Sequence, residues 1–218
     1  MIATSAISIT TPERSIVLAP FGEEHIRTIL PVPDSLLKYQ PASLIPYVKD
    51  PNPRKFMHGE EDVEGALSWG IFHVERADAR SATREFLGTI ALYNKGDNTQ
   101  EIATSIFRLG FEGKGTGTFA KLGLISLAFD HGVASITSES STGNYPAHRS
   151  LKKAGLVQVG IGNEEYKLGN GTTDHMTQWL LHSETALANA PESEAKAALV
   201  AGRQTYLNAV SKVEIEHL

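Results

Sequence analysis

Phe111-Glu112-Gly113-Lys114-Gly115-Thr116-Gly117-Thr118 joins a strand-like segment, Glu101-Ile102-Ala103-Thr104-Ser105-Ile106-Phe107-Arg108-Leu109, to a long apolar one running from Thr118 to His131. The downstream segment carries Phe119, Leu122, Ile125 and Phe129 at intervals of three or four, and Leu124, Leu127 and Ala128 widen the stripe. That pattern predicts a helix buried on much of its circumference. A loop so rich in glycine brings backbone N–H groups close to whatever it faces, and the helix behind it adds unsatisfied donors and the positive end of a dipole. An anion, most naturally a pyrophosphate, fits such a place.

Spacing separates the nucleotide patterns that compete for these glycines. A Walker-type loop needs Gly-Lys followed by Ser or Thr, whereas Gly113-Lys114 is followed by Gly115. A dinucleotide fingerprint needs a longer last interval than Gly115-x-Gly117 provides, and it opens a domain rather than following several strands. A plain surface turn remains open on the loop alone. Further along, Ile136-Thr137-Ser138-Glu139-Ser140 reads as a strand, followed by Gly143-Asn144-Tyr145-Pro146-Ala147-His148-Arg149-Ser150-Leu151-Lys152-Lys153-Ala154-Gly155. Pro146 suits a first helical turn with Asn144 or Tyr145 as cap. Ala147, Leu151 and Ala154 make an inward stripe, and Gly155 ends the helix. His148, Arg149, Lys152 and Lys153 read as a solvated face matched to the helix dipole.

The order of strand, glycine loop, apolar helix, strand and Asn-x-x-Ala-x-x-x-Leu-x-x-x-Gly-Leu helix resembles the Gcn5-related N-acetyltransferases (GNAT), and most closely the branch that acetylates ribosomal-protein N-termini and small amines. The likeness is clearest from Phe86 to Val159, where Phe86–Leu92 resembles the family's third strand and Glu101–Leu109 its fourth. It implies an α+β fold with a central, mostly antiparallel mixed sheet flanked by helices, and acetyl-coenzyme A as acyl donor. By position, Gly113, Lys114, Gly115, Thr116, Gly117 and Thr118 fall in the pyrophosphate loop and helix start. Phe107, Arg108 and Leu109 fall on the strand end that pairs with the pantetheine arm, and Asn144 on the asparagine facing it. Two positions depart from the family. Glu112 stands where Arg or Gln is usual, putting a carboxylate near the pyrophosphate. Leu151 stands where some branches place a tyrosine that protonates the departing thiolate.

With 218 residues, 41% hydrophobic and 21% charged, the chain is of ordinary globular composition. We expect an acyltransferase domain over 1–183 and a C-terminal amphipathic helix extension over 184–218. The absence of cysteine excludes disulfides, thiolate metal sites and a cysteine acyl-enzyme. No signal-like start or membrane-length apolar run is found, so a cytoplasmic protein with no membrane partner is expected. A net charge of −5 argues against a nucleic-acid partner. The eight histidines show no ligand spacing, so no metal is expected.

From the N-terminus, Ser15–Ala19 reads as a first strand, Glu23–Leu30 as a short helix, the neighbourhood of Glu60–Leu67 as another, and Gly70–Glu75 as a strand. Asp78–Glu85 reads as a hairpin tip and Asn94–Asn98 as a second turn. In the resembling family the stretch between the first two strands covers the acceptor, where Tyr39, Tyr47, Phe56 and Trp69 are candidates, with ordinary packing the commoner role for each. His175–Leu181 reads as a last strand. In the tail, Ala195, Leu199, Tyr206, Ala209 or Val210, and Val213 make an apolar stripe suited equally to its own domain or to a homodimer.

Amine acetylation needs a neutral amine, so an ammonium of pKa about 10 has to lose a proton. The resemblance nominates Glu101 as base, against the reading of an exposed strand-edge charge. A backbone N–H near Leu109 would meet the oxyanion, and water, Tyr145 or Ser150 would protonate the thiolate. The acceptor would be a small-molecule amine or a protein N-terminus. Three other readings stand beside an N-acetyltransferase: a non-catalytic acyl-coenzyme A-binding protein of the same fold, a nucleotide-dependent oxidoreductase, and an interaction module built on the tail.

Overall fold

Alternation of branched and aromatic residues builds the sheet. In Ser15–Ala19, Ile16 and Leu18 turn to one face while Val17 and Ala19 turn to the other, and all four are buried. A strand buried on both faces requires cover on both, and the chain supplies it with helices. The computed structural model describes residues 6–11, 15–30, 32, 37–40, 42–58, 66–74, 84–107 and 113–218.

Among these residues the strands are β1 (Ile7–Thr10), β2 (Ser15–Ala19), β3 (Leu67–Val74), β4 (Arg84–Gly96), β5 (Thr99–Phe107), β6 (Ser135–Ser141), β7 (Val157–Lys167), β8 (Thr173–His182) and β9 (Glu214–His217). The helices are α1 (Glu23–Arg27), α2 (Pro53–His58), α3 (Thr116–Asp130), α4 (Tyr145–Lys153), α5 (Glu184–Asn189) and α6 (Glu194–Val210). The strands form one sheet in the order β7-β8-β6-β5-β4-β3-β2-β1-β9. Every pairing is antiparallel except β5 with β6, which α3 joins by a crossover. This is the mixed, mostly antiparallel α+β architecture expected from the sequence.

One face of the sheet carries α3, whose Leu122, Leu124, Ile125 and Leu127 pack with Ile9, Leu18, Trp69 and Ile90. The opposite face gathers Val17, Ile26, Phe56, Phe72 and Phe86 beneath α1 and α2. Trp69 and Phe56 are thus core residues rather than acceptor-lining ones. Asp97 and Asn98 both have positive φ, 47° and 55°, which is the two-residue turn that an antiparallel hairpin favours between β4 and β5.

Several local expectations change in the structure. Ser15–Ala19 is the second strand, because the short Ile7–Thr10 segment pairs beside it. The helix expected near Glu60–Leu67 and the hairpin tip at Asp78–Glu85 fall largely outside the described residues, with Leu67 opening β3 and Arg84 and Glu85 opening β4. The tail holds more than one helix. After α5 and α6, β9 pairs antiparallel with β1, matching Ile9 with Ile215, and the Leu218 N–H donates to the Ala6 carbonyl at 2.9 Å. No hydrophobic periodicity marks a four-residue edge strand flanked by glutamates, so its partner alone reveals it.

Helix α6 lies on its own chain. Tyr206 is buried and its ring meets Phe129 edge-on at 5.7 Å, while the Arg203 guanidinium sits 4.9 Å from both ring centres. Gly155, at φ 92°, and Gly202 allow the turn after α4 to touch α6 backbone to backbone. A Cβ at Gly202 would stand 2.6 Å from the Gly155 carbonyl oxygen and 2.4 Å from Val157 Cγ2. Gly202→Val is therefore expected to lower stability by about 1–3 kcal/mol, read as a fall in the urea midpoint with little change in slope.

Candidate active site

Strands β5 and β6 run together only briefly. Their parallel register covers Thr99–Glu101 against Ser135–Thr137, and no further pairing between them occurs among the described residues. Yet β5 continues beside β4 as far as Phe107, and β6 continues beside β8 as far as Ser141. Two strands held by their outer neighbours but not by each other must diverge. The last link is a hydrogen bond from Ser138 Oγ to the Ile102 carbonyl at 2.8 Å. Beyond it a cavity of about 270 Å³ opens, with Ile102 and Ala103 on one wall, Ser138 to Ser141 on the other, and Lys121, Asn144 and Leu151 from the helices behind.

Through Lys121 the cleft meets the second turn of α3, one turn in from the start of that helix. Gly115, at φ 82°, is its N-cap, and the cap carries no side-chain hydrogen bond. The Thr118 and Phe119 N–H groups donate to the Gly115 carbonyl at 2.9 and 3.1 Å and close the first turn, so the donors that remain to the helix start are those ahead of Thr118. A helix start without a capping side chain, reached through a left-handed glycine, has the form of an anion site. Gly113 is also left-handed, at φ 74°, and Gly113 and Lys114 are exposed.

A third part is held by one carboxylate. Asp174, on β8, accepts from the Ser141 and Thr142 hydroxyls, from the Gly143 N–H at 3.1 Å and from the His175 N–H at 2.8 Å. Burial raises its pKa, but these four hydrogen bonds outweigh it and hold the carboxyl well below the usual carboxylate range. They fix the turn after β6, so that Asn144 enters α4 as N-cap, its Oδ1 accepting from the Ala147 N–H at 3.3 Å. His148 completes the turn with Nε2 3.0 Å from the Ser141 carbonyl oxygen. Burial lowers its pKa, and Lys152 adds to this against the opposing effects of Ser141 and Asp174.

The structure brings together Glu101 and Asn144 in the cleft, and Gly113, Lys114, Gly115, Thr116, Gly117 and Thr118 at the start of α3. Glu101 pairs with Lys95 at 3.0 Å, which raises the Lys95 pKa chiefly through that hydrogen bond. Tyr145 is 67% exposed at the outer end of α4 and does not line the cleft. Ser150 lies between the two helices, its Oγ 3.4 Å from Thr118 Oγ1, and likewise does not line the cleft. Phe107 is the last residue of β5, opposite Gly88, and Arg108, Leu109 and Glu112 lie outside the described residues. No cluster of metal-ligating side chains occurs among the described residues, and no helix there is long and apolar enough to cross a membrane.

Lys121 is the residue that the reading of the sequence passed over. It is 5% exposed, its Nζ contacts the Gly117 carbonyl at 3.4 Å, and burial lowers its pKa from 10.5 to about 8. The signal was present: Lys121 is the one charged residue between Gly115 and Phe129, inside an apolar stripe. Asp174 gave none, since a carboxylate in a strand finds its partners only when β6 and β8 pair.

A domain model for the acetyltransferase (GNAT) domain matches residues 16–157, about two thirds of the chain. The chain therefore belongs to the GNAT family of N-acetyltransferases, whose members use acetyl-coenzyme A. Solved structures agree in fold across almost the whole length. RimJ from Mycobacterium smegmatis, solved in complex with CoA-disulfide, is 16% identical with a TM-score of 0.63, covering 97% of both chains. A GCN5-related N-acetyltransferase from Brucella melitensis is 16% identical with a TM-score of 0.59, covering 92% of this chain and 87% of its own. A GNAT-family acetyltransferase from Bacillus anthracis is 14% identical with a TM-score of 0.55, covering 80% and 98%. Among curated proteins no match is found by sequence.

Two stability effects follow from the site's electrostatics. The folded-state pKa of Lys121 lies below its ordinary value, so the protein carries a penalty for the buried charge below about pH 8 that is relieved as pH rises toward 10.5. Lys121→Met should raise the melting temperature at pH 7, by up to about 3 kcal/mol of stability, and the gain should shrink toward pH 10.5. Asp174 has the opposite sign: its stabilisation is complete above the ordinary value of 3.8 and is lost as pH falls toward the depressed one. Asp174→Ala is expected to cost about 2 kcal/mol or more at pH 7 by thermal melting, with the difference from the parent narrowing below about pH 4.

Proposed function

We propose that the protein transfers an acetyl group from acetyl-coenzyme A to a primary amine by direct attack within a ternary complex, in the cytoplasm. The observation that carries this reading is the divergence of β5 from β6 immediately before a helix whose uncapped start is a left-handed glycine. The pyrophosphate would rest on the first-turn amides of α3, with Lys114 beside it. The pantetheine arm would lie along β5 beyond Ile102, taking the hydrogen-bonding edge that β6 leaves.

Such an arrangement places the thioester near the point where the strands part. Holding donor and acceptor together there supplies the proximity that acyl transfer needs, and no covalent enzyme intermediate is required of a chain without cysteine. Glu101, at that same point, is positioned to take the proton of the incoming amine directly or through one water. The acceptor would be a small amine or a protein N-terminus, entering beside Tyr39.

A second reading, a non-catalytic acyl-coenzyme A-binding protein, is favoured by the ion pair of Glu101 with Lys95 and by the buried, apolar Leu151. Calorimetry and thiol release separate the two. Acetyl-coenzyme A should bind with micromolar affinity, and Gly115→Val, which cannot hold φ near 82° without strain, should weaken binding at least about tenfold. Thiol release with a panel of amines should be measurable, and Glu101→Gln should slow it about a hundredfold at neutral pH. Binding without thiol release would leave the binder reading in place.

A further inference from the structure

The reaction proposed above ends on a thiolate, and the cleft holds few groups able to neutralise it. The helices behind the cleft contribute Asn144, Ala147 and Leu151 from α4, which do not titrate, and Lys121 from α3. Around the rest of the cavity the ionisable groups are Tyr39, Glu101, Glu139 and Tyr166, two acids and two phenols. Glu101 is paired with Lys95, and the Tyr166 hydroxyl donates to Glu164 at 3.1 Å, which raises its pKa. Tyr145 and Ser150, the candidates read from the sequence, do not line the cavity. The charged side chains of α4 nearest to it, His148, Arg149, Lys152 and Lys153, are not among its lining residues either.

Lys121 occupies a position that packing would fill with an apolar side chain. It lies between Ala120 and Leu122, both buried, on a helix whose neighbours α4, α6, β1, β2 and β5 present no carboxylate that pairs with it among the described residues. A buried ammonium held by one long contact to a carbonyl is costly, and it is stabilised by whatever negative charge reaches it. The cleft it borders is where such charge would arise.

Resting on the transferase reading, we infer that Lys121 is the acid that protonates the departing coenzyme A sulfur, reaching it from α3 across the wall it shares with Leu151. The amine nitrogen forms its bond to the thioester carbonyl carbon, the C–S bond breaks with its electron pair on sulfur, and a Lys121 N–H proton passes to that sulfur. The proton that the attacking nitrogen gives up passes to Glu101 or its water and from there, through solvent, recharges the neutral lysine, so the reaction closes as thioester plus amine to amide plus thiol. Burial brings the lysine to about 8, close to the value of about 8.5 typical of a free thiol, so the transfer runs between nearly matched groups at neutral pH.

The test measures kcat against pH from 6 to 10 for the parent, Lys121→Met and Lys121→Arg at saturating acetyl-coenzyme A and amine, with coenzyme affinity followed by calorimetry. Lys121→Met should bind acetyl-coenzyme A within about threefold of the parent, since α3 keeps its glycine start, while kcat falls about a hundredfold. The parent's decline in kcat above about pH 8 should be absent from the variant. Lys121→Arg, charged throughout this range and unable to release a proton, should remain as slow. A Met variant with kcat within threefold of the parent, or one that keeps the alkaline decline, overturns the assignment, as does full rescue by Arg. So does a parent that prefers succinyl-coenzyme A in a manner lost in the Met variant, which would give the ammonium to a donor carboxylate. A parent that binds acetyl-coenzyme A and acetylates no amine overturns the transferase reading and this inference together, whereas an active parent with an unaffected Met variant overturns the inference alone.

Discussion

Parallel pairing that stops after three residue pairs is the constraint from which the rest of this structure follows. A crossover helix must run back over the sheet to bring β6 beside β5, and α3 does so with leucine and isoleucine packed on β1 and β2. Its docking fixes where the glycine loop ends, while β4 and β8 hold β5 and β6 in their separate directions. The cleft between them is neither a gap in packing nor a defect of the ladder. It is the space that two differently anchored strands leave beyond Ser138, the last residue seen to bridge them. In the proposed complex the acyl carrier would enter it as an added strand along the edge of β5 that β6 leaves.

The far side of the cleft owes its shape to charge rather than to apolar packing. Asp174 collects two hydroxyls and two N–H groups, and in doing so it turns the chain out of β6 and into α4. Asn144 then spends its carboxamide oxygen on the helix cap, so in this structure its part in the cleft is to set the direction of α4. Behind the turn the His148 and Trp179 rings meet at a tilt of 54°, their centres 5.1 Å apart. A single acceptor on β8 thus positions a helix start and a cleft wall.

The C-terminal segment is woven into the same body. Its helix reaches the turn after α4 through facing glycines, and its last strand covers the edge that β1 would otherwise offer to another chain. Glu214 and Glu216 then lie on the new edge, where charge discourages further pairing. Amphipathic periodicity revealed the helix, but the same apolar stripe would have served a partner subunit as well, because periodicity reports that a face is buried and not by what.

By itself the sequence determined the local rules: the alternation of β2, the apolar helix at 118–131, the glycine loop, a helix cap at Asn144 or Tyr145 and the asparagine-to-glycine helix, and with them the resemblance to an acyltransferase. Each depends on residues close together in the chain, where propensity and spacing act. What only the tertiary structure decided are the contacts between distant segments. These are the length of the β5–β6 pairing, the staple at Asp174, the closing strand β9, and the burial of Lys121 on the wall of the cleft. Such contacts depend on which surfaces meet once the sheet has formed, and a lysine in an apolar stripe carries no mark of whether it will face water or the one cleft where a charge is useful.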